Sequence, residues 1–115
     1  MGKLTTHILD TASGRPADGV SIRLYALDDE RRLVASATSN PDGRSDEPLL
    51  EGAAFTSGGY ELEFDIGDYF RRLRMPRGDP PFLDVVVIRF QVNAGEHYHV
   101  PLLASPFSYS TYRGS

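Results

Sequence analysis

Apolar residues recur at every second position through most of this chain, a spacing that calls for strands and excludes a helical bundle. Val20, Ile22, Leu24 and Ala26 alternate with Ser21, Arg23 and Tyr25. Successive side chains of a strand point to opposite faces, so the pattern describes a strand with one face on a core. The same reading fits Leu4 to Leu9, Leu33 to Ala37, Tyr60 to Ile66, Asp84 to Val92 and His97 to Leu103. In the Asp84 strand, Val86, Ile88, Phe90 and Val92 make one face. The other carries Val85, Val87, Arg89 and Gln91, which reads as buried at its start and wetter at its end. Between the runs stand turn formers: Ser13-Gly14-Arg15-Pro16, Ala17-Asp18-Gly19, Asn40-Pro41-Asp42-Gly43, Ser57-Gly58-Gly59 and Arg77-Gly78-Asp79-Pro80-Pro81. Turn signals at such intervals predict a sandwich or a barrel.

One segment breaks the rhythm. From Asp65 to Met75 the residues Ile66, Tyr69, Phe70 and Leu73 fall at offsets of 3, 4 and 7, and Pro76 stops the run. That spacing predicts a single short helix, with Arg71, Arg72 and Arg74 near its C-terminus, where the macrodipole favours cations. The chain reads as all-β: seven or eight short strands and one helix, packed as two sheets.

Size then limits the chemistry. The 115 residues make one domain, 1–115, with a modest core and little surplus for a large enclosed cavity. A roomy active site is therefore expected at a seam between subunits. The chain has no cysteine, which removes thiolate nucleophiles and cysteine metal sites. Its net charge is −4, and 11 of its 12 basic residues are arginines, scattered apart from Arg71, Arg72, Arg74 and Arg77. A surface that tracks phosphates needs more, so nucleic acid is not an expected partner. The N-terminal stretch has no apolar signal region and no later stretch approaches a membrane span, so a cytoplasmic, membrane-free protein is expected.

Few residues remain for catalysis. His7, His97 and His99 are the three histidines, and no other side chain titrates near neutrality unperturbed. His97 and His99, two apart in a strand, project from one face unless a bulge intervenes, where they could bind a metal, act as base and orienter, or serve as polar surface. Arg44 follows the tight turn Asn40-Pro41-Asp42-Gly43 and starts from a fixed point; turn flank is its other reading. Asp28-Asp29-Glu30 reads as a solvated hairpin tip. There is no Gly-X-Ser-X-Gly elbow and no glycine-rich phosphate loop leading into a helix, so a hydrolase on this chain has to use water as its nucleophile. The run from Ser105 to Ser115 alternates aromatic and hydroxyl residues to the last position, which suggests that the final carboxylate is placed, near Arg113 or Arg44.

These residues carry a pattern. Leu4-Thr5-Thr6-His7-Ile8-Leu9-Asp10, Asp42-Gly43-Arg44, Gly67-Asp68-Tyr69-Phe70, His97-Tyr98-His99-Val100-Pro101-Leu102-Leu103 and Tyr112-Arg113-Gly114-Ser115 together resemble the 5-hydroxyisourate hydrolase branch of the transthyretin-related family, across the whole chain. The resemblance implies a transthyretin-like sandwich of two four-stranded sheets with one short helix. It implies a homotetramer, a dimer of dimers, with sites in the channel where the dimers meet. It implies a cyclic amide hydrolase of urate degradation that opens 5-hydroxyisourate to 2-oxo-4-hydroxy-4-carboxy-5-ureidoimidazoline without a cofactor. Carried over by residue, the catalytic positions fall on His7, Arg44, His99 and Ser115, and the substrate-binding ones on His7, Arg44 and Tyr112, with His97 nearby. No metal is required, although converging His7, His97 and His99 could trap zinc adventitiously. The alternative is a transthyretin-like carrier that holds a small aromatic ligand in the same channel without chemistry.

Overall fold

The computed structural model describes residues 2–73 and 80–114. The period-two runs form strands close to their predicted bounds: β1 (Lys3–Asp10), β3 (Ser21–Leu27), β4 (Arg31–Thr38), β6 (Gly58–Asp65), β7 (Val85–Val92) and β8 (Tyr98–Ala104). Three shorter strands join them: β2 (Arg15–Pro16), β5 (Leu50–Glu51) and β9 (Tyr109–Thr111). One sheet runs β4-β3-β6-β7, all antiparallel. The other runs β2-β1-β8-β9, with β5 pairing the start of β1, and β1 pairs β8 in parallel. Two sheets are what the sequence pattern predicts, and the resemblance implies a sandwich of two four-stranded sheets; here β5 adds a fifth strand to one of them.

The predicted helix is present as α1 (Ile66–Arg72), which buries Ile66, Tyr69 and Phe70. Leu73 follows it in a helical backbone conformation; Arg74, Met75, Pro76 and Arg77, the expected end of the helix and of its basic cluster, lie outside the described residues.

The core fills the space between the sheets. Leu4 and Ile8 of β1, Ile22 and Leu24 of β3, Leu62 and Phe64 of β6 and Leu102 of β8 are fully shielded from solvent. Each such side chain stabilises the fold by roughly 1.5–3 kcal/mol relative to exposure. One expectation fails here. The second face of β7 is open from its start, with Val85 at 39% and Val87 at 43% exposure. Across it, Val85 and Val87 stand opposite Asp65 and Glu63 of β6.

That outer face carries a lattice of charges instead. Arg23 Nη2 and Nη1 bond both oxygens of Asp65 at 2.8 and 3.0 Å, and its Nε reaches Glu63 Oε1 at 3.0 Å. Arg31 bonds Glu61 and Glu63, and Arg89 grips Glu61 Oε2 through Nη2 at 2.7 Å and Nε at 2.9 Å.

The outer edge of β1 is covered in three pieces, and this matters for the site. β5 pairs Lys3 and Leu4, Arg44 bridges His7, and β2 pairs Leu9 and Asp10.

Candidate active site

The parallel pairing of β1 and β8 brings the chemistry together. Thr5 stands opposite His99 and His7 opposite Pro101. Because alternate residues share a face, Leu4, Thr6 and Ile8 enter the core while Thr5, His7 and His99 point outward, each half-buried. His7 and His99 are then diagonal neighbours on the outer face of the sheet, with ring centroids 6.5 Å apart and planes at 31°.

Arg44 reaches them through its turn. Asn40 Oδ1 accepts the N–H groups of Asp42 at 2.9 Å and Arg44 at 3.1 Å, while the Asn40 carbonyl accepts the Gly43 N–H at 2.8 Å. Gly43 has φ of 76°, a left-handed conformation, and a Cβ there would run into the Ile8 carbonyl oxygen. The Gly43 carbonyl in turn accepts the Ile8 N–H at 2.8 Å. The turn is thus stapled to itself and to β1, which explains why Arg44 sits beside His7 and not free at a loop tip.

A third backbone contact comes from the other end of the chain. The Gly114 N–H donates to the His99 carbonyl at 2.7 Å. A Cβ on Gly114 would lie 2.9 Å from His99 Cδ2, so glycine is what lets the backbone pass so close to the ring.

The resulting cleft has a volume of about 520 Å³ and is walled by Lys3, Thr5, Arg44, Glu47, Pro48 and His99 among others. His99 lines this cleft and His7 does not; the electrostatics around both rings favour the neutral imidazole. Burial lowers the pKa of His7, the Arg44 cation lowers it further, and the Asp42 carbonyl and carboxylate oppose them. His99 is lowered by burial, then by Arg44 and by His7. Two neutral imidazoles beside a guanidinium can take a proton from water, relay it, and hold negative charge that develops on an oxygen.

The remaining sequence candidates fare differently. His97 is exposed ahead of β8 and contributes its carbonyl to Arg113 Nη2 at 3.2 Å. Among the described residues no group of three His, Asp or Glu side chains could hold a metal ion. Tyr112 is 60% exposed and lines a different hollow of about 240 Å³, with Ile88, Phe90, Tyr98 and Val100. Ser115 lies outside the described residues. The sequence reading overlooked Thr5, whose Oγ1 is 2.9 Å from His99 Nδ1. Its position two before His7 put it on the right face, but only the parallel partner reveals its neighbour.

A family model described as "HIUase/Transthyretin family" matches residues 4–114. A Rhizobium meliloti protein named "5-hydroxyisourate hydrolase 2" is 57% identical, covering 99% of this chain and 97% of that protein. A solved (S)-allantoin synthase superposes with a TM-score of 0.94 at 45% identity, over 99% of this chain and 44% of that one, so the chain spans less than half of that protein. The Klebsiella pneumoniae 5-hydroxyisourate hydrolase gives a TM-score of 0.82 at 33% identity over the full length of both chains. Sea bream transthyretin in complex with thyroxine gives 0.86 at 29% identity, over 97% of this chain and 94% of that one.

Proposed function

Given that the chain belongs to the HIUase/Transthyretin family, we propose that it hydrolyses 5-hydroxyisourate to 2-oxo-4-hydroxy-4-carboxy-5-ureidoimidazoline, with a histidine-activated water as nucleophile. The observation that carries this reading is the cluster of His7, His99 and Arg44 on one outer sheet face, where burial and the Arg44 charge lower the pKa of both imidazoles. Opening a cyclic amide requires a base for water, a positive group for the oxyanion, and a proton for the departing nitrogen. One of His7 and His99 takes the proton of water as its oxygen bonds to the carbonyl carbon. Arg44 holds the anionic substrate and the growing charge. As the carbon–nitrogen bond breaks, a relayed proton reaches the nitrogen.

The catalytic set is rounded out by Ser115, and the substrate site by Tyr112, brought to the channel of a homotetramer built as a dimer of dimers. Two features support this assembly. The cleft is an open hollow on a sheet face, which a second copy would close. The opposite face is paved with ion pairs, and covering those would strip their water at a cost. In this reading no cofactor takes part, and a cytoplasmic enzyme is expected.

Carrier and enzyme share the fold, so activity must separate them. The test is the absorbance decay of freshly generated 5-hydroxyisourate. The protein should accelerate it, and His7→Ala, Arg44→Ala and His99→Ala should each slow it by about 10²-fold or more, the scale of lost acid–base or oxyanion help. A protein that leaves the decay unchanged yet binds an aromatic ligand would be a carrier. Sedimentation should give a mass of four chains.

A further inference from the structure

The half-buried Thr5 hydroxyl lies 2.9 Å from His99 Nδ1, and among the described residues it is the one side chain hydrogen-bonded to that ring. Thr5 is opposite His99 across β1 and β8, in the wall of the same cleft, so the contact is fixed by strand register and not by a flexible side chain. A neutral imidazole has one N–H and one lone pair, and the partner of one nitrogen decides what the other offers. Thr5 Oγ1 has no second hydrogen-bond acceptor among the described residues. When the hydroxyl donates to Nδ1, the ring hydrogen stands on Nε2.

Resting on the hydrolase reading above, we propose that Thr5 is a positioning residue that commits His99 to the Nε2–H tautomer, so that His99 acts as a neutral hydrogen-bond donor to the substrate carbonyl and not as the base. A carboxylate in place of Thr5 would draw a proton onto the ring and make it a cation; a hydroxyl orients the ring without doing so. The Arg44 charge beside both rings works in the same direction. A neutral imidazole is a competent electrophile for a carbonyl in a site of this kind. It would not surrender its last proton, because imidazolate is too basic.

His7 is then left with the proton traffic. It is the other imidazole of the cluster, with its ring centroid 6.5 Å from that of His99. His7 takes one proton from water as the oxygen–carbon bond forms. His99 Nε2–H and Arg44 hold the oxyanion. The carbon–nitrogen bond then breaks, and His7 returns the same proton to the nitrogen. The product carries the water oxygen on carbon, and His7 ends as it began.

The test combines tautomer and kinetics. Protein labelled with nitrogen-15 in histidine should show the His99 ring protonated on Nε2 at neutral pH, and Thr5→Val should turn it to a mixture of tautomers. Thr5→Val should lower kcat by about tenfold or more, part of the roughly 10²–10⁴-fold that acid–base and hydrogen-bond assistance supplies, with KM changed far less. Thr5→Ser, which keeps the hydroxyl, should restore kcat and the tautomer. An Nδ1–H ring in the unaltered protein, or a Thr5→Val enzyme with unchanged kcat, would overturn the proposal. If instead the unaltered protein does not hydrolyse 5-hydroxyisourate, the hydrolase reading fails on its own, and the nitrogen-15 spectrum still reads the Thr5–His99 bond.

Discussion

Arg44 acts on its neighbours before any substrate arrives. Its charge helps hold both His7 and His99 below the ordinary imidazole pKa of 6.5, so both rings stay neutral over more of the pH range than isolated histidines. The acid limb of the rate profile is therefore expected below pH 6.5, and Arg44→Gln should move the limb of the residual activity upward as well as lowering the rate. A full pH–rate profile of both proteins checks this; a limb that does not move would remove Arg44 from the electrostatics. The sign for stability follows. The folded form binds these protons less readily than the unfolded chain, so the contribution of both histidines falls as pH drops through 6.5. Of these residues, His7, Arg44 and His99 were legible in sequence, because rare residue types stood inside recognisable motifs. Thr5 was not, since a threonine on a strand face is common and its partner lies 94 positions away. Tyr112 was legible as a motif residue, but its motif meets the site through the backbone of Gly114 and not through its ring.

Among the elements, β1 is the one on which the others converge. At its end Asp10 is 1% exposed, and its carboxylate accepts three hydrogen bonds: the N–H groups of Ala12 and Ser13 on Oδ1 and the Tyr69 hydroxyl on Oδ2 at 2.9 Å. Tyr69 belongs to α1, so this carboxyl group ties the helix to the strand that carries His7. Burial, then the bond to Asp10, pushes the Tyr69 hydroxyl pKa up to about 12. Buried donors left without a partner cost about 1–3 kcal/mol each, and Asp10→Ala is expected to lower the unfolding free energy by about 3 kcal/mol. Urea unfolding measures it, and an unchanged midpoint would show that the helix is held by its apolar face alone. Strand and helix identities were legible because period two and period 3.6 differ plainly. The pairing order was not. Alternation says which residues share a face and nothing about which strand lies alongside, and two-residue pieces such as β2 and β5 are too short to leave a pattern.

For the whole molecule, the two outer faces divide the work. One carries the cleft; the other carries Glu61, 6% exposed between Arg31 and Arg89, and Asp65 in the fork of Arg23. Hydrogen bonds from these arginines hold both carboxylates below their ordinary pKa values of 4.5 and 3.8. A depressed folded pKa means that the stabilisation is complete above the unfolded value and is lost as pH falls below it. Denaturant midpoints should therefore drop steeply under about pH 4.5, and Glu61→Gln should be less stable at neutral pH and flatter in acid. A parallel drop in both proteins would assign the acid sensitivity elsewhere. The face expected from β7 alone was misread, because Val85 and Val87 resemble core residues until β6 supplies Asp65 and Glu63 beside them.

The distance along the chain between Thr5 and His99 also governs when the site can exist. Ninety-four positions separate the two partners of one hydrogen bond, and the Gly114 contact comes later still. During synthesis His7 emerges well before His99 and waits for its companion. The strands β3, β4 and β6 can pair with near neighbours meanwhile, but β1 stays open along the edge that β8 will take. Closing so long a loop is slow compared with local pairing. The candidate site therefore assembles late, when β8 pairs with β1.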